Sequence, residues 1–172
     1  MTISKNEEKA KAQARPKGGG FIKVSLIDMY EPMPIAARRV RARQQELLDS
    51  MLIDACRNGE FKKVKRLLER GANPNAKDKE HKTALMWAVY EENLEIATLL
   101  ILHGANVNLK DKYGQTALMV AAELRNVKIA ELLLRNNAKV NEKSSYGWTA
   151  LTWAKENEDN EMIQLLFMHG AV

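Results

Sequence analysis

The chain has 172 residues, 45% of them hydrophobic, and a formal net charge of +5. That apolar share is enough to build a core, so a wholly disordered chain is excluded. No run approaches the roughly 20 apolar residues that cross a bilayer, and no transmembrane segment is expected. The opening Met1-Thr2-Ile3-Ser4-Lys5-Asn6-Glu7-Glu8 lacks an apolar signal core, and its glutamates argue against a transit peptide. Cys56 is the only cysteine; it excludes an intramolecular disulfide, fits a reducing compartment, and reads as a small buried helix residue. The charge is uneven. Residues 1–45 hold ten Lys/Arg and four Asp/Glu, a net +6, whereas residues 46–172 hold seventeen and eighteen, a net −1. The pattern is that of a basic arm joined to a neutral module.

In chain order, residues 1–20 read as a disordered basic tail that closes on Arg15-Pro16-Lys17-Gly18-Gly19-Gly20. Residues 21–45 form an extended and then helical arm. Its apolar segment Phe21–Tyr30 is β-prone, either a short strand or an extended piece packed on the repeats or on a partner. Pro32 and Pro34 delay any helix until about Ile35. From Ile35 to Asn58 the pattern is helical, with Leu48, Met51, Leu52 and Ala55 on one stripe. Gly59 ends this helix, a second runs from about Glu60 to Arg70, and Gly71 supplies a left-handed C-cap.

Beyond this point the chain repeats itself every 33 residues. Thr83-Ala84-Leu85 returns as Thr116-Ala117-Leu118 and Thr149-Ala150-Leu151, and Asn75 as Asn108 and Asn141. A period of this length means one supersecondary unit stacked several times, with the stack itself as core. Four units are expected over residues 46–172, at about 46–77, 78–110, 111–143 and 144–172. In the last three, a polar loop leads to a threonine N-cap, an alanine-rich first helix, a polar turn and a leucine-rich second helix.

The unit Asp111-Lys112-Tyr113-Gly114-Gln115-Thr116-Ala117-Leu118-Met119-Val120-Ala121-Ala122, closing at Asn137-Ala138-Lys139-Val140-Asn141, resembles the ankyrin repeat. The resemblance covers about 48–172. It implies an all-α ankyrin-repeat solenoid of stacked helix-turn-helix units, here with an N-terminal basic extension. Departures are plain: the family proline is Ala84, Ala117 and Ala150, its histidine is Met86, Met119 and Thr152, its turn glycine is His81 in the first full unit, and a C-cap glycine is Asn137. These imply an array somewhat less stable than an idealised one.

No catalytic constellation is legible, and neither an enzyme activity nor a cofactor is expected. His81, His103 and His169 have no ligand spacing, Gly18-Gly19-Gly20 lacks the frame of a phosphate loop, and Glu156–Glu161 lacks calcium-loop spacing and reads as a solvated polar turn. A chain that opens on Met1 and closes on a repeat boundary is expected to carry no separate catalytic domain. The resemblance instead implies protein recognition, by an adaptor or assembly subunit in the cytoplasm or nucleus, a monomer on its own or part of a complex. Variable contact positions carried over from the family fall on Lys79, Glu80, Lys82, Lys112, Tyr113, Gln115, Ser145, Tyr146 and Trp148 at the loop tips. On or beside the first helices they fall on Tyr90, Glu91, Glu123, Leu124 and Glu156. Tyr113, Tyr146 and Trp148 are expected at the centre, since tip aromatics have little core to fill and aromatics dominate interface hot spots. Lys79, Lys82 and Lys112 are expected as a basic rim. Tips folded onto the adjacent loop remain the alternative, and Trp87 and Trp153 read as packing between repeats. Arg38, Arg39, Arg41 and Arg43 form a second candidate site: either a solvated helix face or a means of tethering a nucleic-acid-associated factor, or an anionic surface, through phosphates.

Overall fold

The computed structural model describes residues 34–172. The tail 1–20 and the apolar segment 21–30 lie outside the described residues. Within them the chain forms eight helices: α1 Ile35–Arg57, α2 Phe61–Glu69, α3 Ala84–Tyr90, α4 Leu94–Leu102, α5 Ala117–Glu123, α6 Val127–Arg135, α7 Ala150–Glu156 and α8 Asn160–Met168. They pair as α3/α4, α5/α6 and α7/α8, and α1 and α2 contribute to the same buried core. First helices stack α3 on α5 on α7, and second helices stack α2 on α4 on α6 on α8. The fold is the all-α solenoid implied by the repeat. Ala36–Val172 forms one compact unit, and α1 runs unbroken through residues 45 and 46.

The core consists of columns that repeat with the sequence. Leu52, Leu85, Leu118 and Leu151 form one, and Leu67, Leu100, Leu133 and Leu166 another, all at most 4% exposed. Burying each leucine contributes about 2 kcal/mol. Ala55, Ala88, Ala121 and Ala154 are fully buried; their single methyl lets neighbouring first helices approach closely. Met86 and Met119 are buried as well, so flexible thioethers fill the slot of the family's histidine.

The helix starts follow from side-chain chemistry. Thr83, Thr116 and Thr149 accept hydrogen bonds from the N–H groups of Met86, Met119 and Thr152, at 3.1, 3.4 and 3.1 Å. Thr152 Oγ1 accepts from the Thr149 N–H in return, which completes a capping box. The second helices have their own caps, at Asn93, Asn126 and Asp159, which accept from Ile96, Ile129 and Met162. Glu60 occupies that place in the first unit and makes no side-chain cap. The stretch Glu156–Glu161 is therefore not merely a solvated turn: Asp159 is buried as a cap, and Asn157 Nδ2 donates to the carbonyls of Ala122 and Glu123 on the preceding repeat. Asn137 and His81 both stand at positive φ, +63° and +60°, in the left-handed places where glycine is favoured.

Asparagine ladders join the repeats. Asn75 Nδ2 donates to the Gly104 carbonyl and Asn75 Oδ1 accepts from the Asn106 N–H, at 3.2 and 2.7 Å. Asn108 makes the same pair to Asn137 and Lys139, and Asn141 to Gly170 and Val172. In the first unit α1 provides the equivalent bonds, since Gln45 Nε2 donates to the Gly71 carbonyl and Asp49 Oδ1 accepts from the Asn73 N–H.

Candidate functional site

Each loop tip is organised by one side chain. Asp78 Oδ1 accepts from the N–H groups of Glu80 and Lys82, and Asp111 Oδ1 from those of Tyr113 and Gln115. At the same register Ser144 Oγ accepts from Tyr146 and Trp148, at 3.3 and 3.2 Å. Gly114 and Gly147 then take the left-handed turn, with φ of +72° and +80°. A Cβ on Gly114 would meet the Ser145 backbone nitrogen at 2.9 Å, so the glycine also admits the next tip. Successive tips are tied by main chain: the Lys112 N–H donates to the Glu80 carbonyl and the Ser145 N–H to that of Tyr113, at 3.0 and 2.8 Å.

These ties bring Tyr113, Gln115, Tyr146 and Trp148 to one open groove of about 560 Å³ between the last two tips, with Ser144 and Trp153 completing its walls. Tyr146 is 74% exposed and Tyr113 40%. Trp148 differs from the expectation for a tip aromatic. It is half-buried, and its ring lies 4.5 Å from that of Trp153 at a 58° tilt. Trp153 in turn both packs and lines the groove. The only sequence signal for its second role is Ser144, which stands where Asp78 and Asp111 stand in earlier repeats.

The lysines do not form the expected basic rim. Lys82 lies 4.5 Å above the Tyr90 ring and 5.1 Å above Trp87. Lys112 pairs with Glu80 and lies 4.7 Å over Tyr113; the hydrogen bond to Glu80 raises its pKa. Their charge is spent on aromatic faces and one carboxylate. Lys79 alone of the three stays apart, exposed beside a second groove with Glu46, Ser50 and Asp54. Tyr90 is half-buried 5.7 Å from Trp87, with a weak contact from its hydroxyl to Gln115 Oε1 at 3.5 Å. Burial, aided by the Glu123 and Asp111 carboxylates, pushes its pKa up to about 12. Glu123 is half-buried near the end of the same face; burial raises its pKa and the nearby Lys82 works against that rise. Leu124 caps α5 and is partly buried against the core, whereas Glu91, Ser145 and Glu156 are exposed.

Arg38, Arg39, Arg41 and Arg43 are all exposed on α1, and Arg39 and Arg43 share a shallow groove with Val40, Ala42 and Glu46. His103 Nδ1 lies 2.9 Å from the Leu99 carbonyl at the end of α4. No group of three or more His, Cys, Asp or Glu side chains with metal-binding geometry occurs among the described residues.

The face as a whole is a row of copied tips and short helices whose register repeats and whose side chains vary. Comparison with known proteins agrees with this architecture. The family described as ankyrin repeats (3 copies) matches residues 52–144 and, overlapping them, 99–172. No curated protein matches the chain. With the two matches spanning well over half its length, the chain belongs to the ankyrin-repeat family, whose repeats are in general protein–protein interaction modules.

Proposed function

We propose that the protein is a non-enzymatic adaptor or assembly subunit that binds another protein through its loop tips and first helices, centred on Tyr113, Tyr146 and Trp148. The observation that carries this reading is the groove those three share, with the exposed Tyr146 at its mouth. Aromatic side chains offer large contact area at little entropic cost and dominate binding hot spots. Mixed charge supports the same reading: Glu123 and Glu156 lie on the inner helices, and Lys82 and Lys112 are already engaged. A surface made for phosphate would carry one sign throughout. The lone buried cysteine fits a reducing setting such as cytoplasm or nucleus.

The test is capture of the native partner by the full chain and by the variant with Tyr113, Tyr146 and Trp148 all replaced by alanine. Hot-spot truncation costs about 2 kcal/mol or more each, so a micromolar interaction should vanish. Helical melting controls for fold, and Tyr146→Ala alone controls for any loss of Trp148 packing. If the triple variant binds as the parent does, the groove is not the site. A second reading rests on the four exposed arginines of α1, which would hold a nucleic acid. Binding by them would weaken steeply with salt and disappear on removal of residues 1–45.

A further inference from the structure

The repeats offer an internal comparison at the place where one unit's first helix meets the next. Between the first and second units, Arg57 lies 4.1 Å over the ring of Trp87. Asp78 completes the arrangement: its Oδ2 accepts the Trp87 indole N–H at 2.9 Å and lies 3.8 Å from the Arg57 guanidinium. Lys82 covers the same ring from the tip. The slot is closed, with cation, aromatic ring and carboxylate all drawn from this chain.

Two repeats on, every part of that slot has changed except the ring. Trp153 stands at the register of Trp87, Glu123 at that of Arg57, Trp148 at that of Lys82 and Ser144 at that of Asp78. One cation has become a carboxylate and the other an indole. Among the described residues no cation lies over Trp148, Trp153 or Tyr146. Ser144 has a single oxygen, already engaged with the Tyr146 and Trp148 N–H groups, and Trp153 Nε1 is buried without a partner. The intervening slot, with Tyr90 and Val120 in these places, is filled by packing. Among the described residues, only the last slot opens as a groove lined by four aromatic rings.

We infer that this groove receives an arginine side chain from the protein partner, its guanidinium lying on the Trp148–Trp153 pair as Arg57 lies on Trp87. The inference rests on the protein-binding reading above and names the side chain that the site takes. Three properties support arginine. A flat guanidinium stacks on indole faces while its edge still donates hydrogen bonds. Gln115 offers an acceptor in the same groove. Glu123 stands at the register from which the first slot draws its cation, so no cation of this chain takes that place.

The full chain, labelled with ¹⁵N, is titrated with acetyl-Ser-Gly-Arg-Gly-Ser-amide and with the same peptide carrying citrulline, which keeps the shape of arginine and removes its charge. The three indole N–H resonances are read separately, with Trp87 as the internal reference. Saturable shifts of Trp148 and Trp153, with Trp87 unmoved, are expected from the arginine peptide. The citrulline peptide should bind roughly two- to thirty-fold more weakly, the range a cation–ring contact supplies. Tyr146→Ala, at an exposed position, should weaken binding without altering the melt. Glu123→Arg, which returns a cation to the Arg57 register, should block it. Equal binding of the two peptides, absence of a saturable shift, or undiminished binding by Glu123→Arg would overturn the inference. If the arginine peptide fails while the triple alanine variant still loses its native partner, the groove remains the partner site and only the arginine assignment falls.

Discussion

Asn137 shows how a single residue carries a cost that its neighbours avoid. It occupies the left-handed position held by Gly71, Gly104 and Gly170 in the other units, at φ +63°, and is exposed. Its backbone carbonyl, not its side chain, accepts the Asn108 ladder bond. Asn137→Gly therefore keeps that bond and relieves the strain of a Cβ, with an expected gain of a few tenths to about 1 kcal/mol in chemical denaturation. A clear loss would show that the amide of Asn137 holds the turn. Ser144 and Glu123 form a second case. Ser144→Asp would supply the missing acceptor for Trp153 Nε1, yet it would also set a carboxylate near Glu123, where the first slot has Arg57. We expect Ser144→Asp alone to be near neutral. Combined with Glu123→Arg it should exceed the sum of the singles by about 0.5 kcal/mol or more. Strict additivity in a double-mutant cycle would mean that the two positions do not meet.

At the scale of elements, α1 is the unusual helix. It is 23 residues long where the other first helices have seven, and its early turns are exposed, with Val40 and Leu47 at the surface. Its core contacts begin at Leu48 and Met51. A chain of residues 48–172 should thus retain a cooperative helical melt while losing the Gln45–Gly71 bond, a net cost of about 1 kcal/mol. Non-cooperative unfolding of that fragment would show that residues before 48 nucleate the first repeat. The helix pattern of α1 is legible in the apolar stripe. The Gln45 and Asp49 contacts are not, because no spacing within one helix reveals that it substitutes for a missing ladder asparagine.

The whole molecule is held by contacts between neighbouring units, so each buried group reports on the stack. Cys56 is fully buried in the first unit, and burial alone pushes its thiol up to about 12. A thiol so protonated and enclosed reacts only after opening. Maleimide labelling at neutral pH should be slow in the native protein and fast in denaturant. The stability gained from Asn137→Gly should slow it further only if the stack opens as a single unit. Rapid labelling of the native chain would show that the first repeat opens on its own.

The period of 33 determined, from the sequence, the number of helix pairs, the threonine caps, the leucine and alanine columns and the left-handed sites at His81 and Asn137. All of these depend on local geometry copied in register, and a copied pattern is visible without coordinates. The neutral body and the exposed arginines of α1 followed from composition and helical spacing in the same way. Tertiary structure alone decided which side chains meet across repeats. Lys82 and Lys112 read as free cations in sequence, but they settle on Tyr90 and Tyr113 of their own units, and Lys112 also reaches Glu80 of the preceding unit once the tips are tied together. Asn75, Asn108 and Asn141 recur visibly, yet their partners are carbonyl and N–H groups some 30 residues away. The aromatic groove belongs to the same class. Arg57 lies over the ring of the following unit, whereas Glu123 at the same register stands outside the lining of the last groove, and this difference acquires meaning only when stacking places the units side by side.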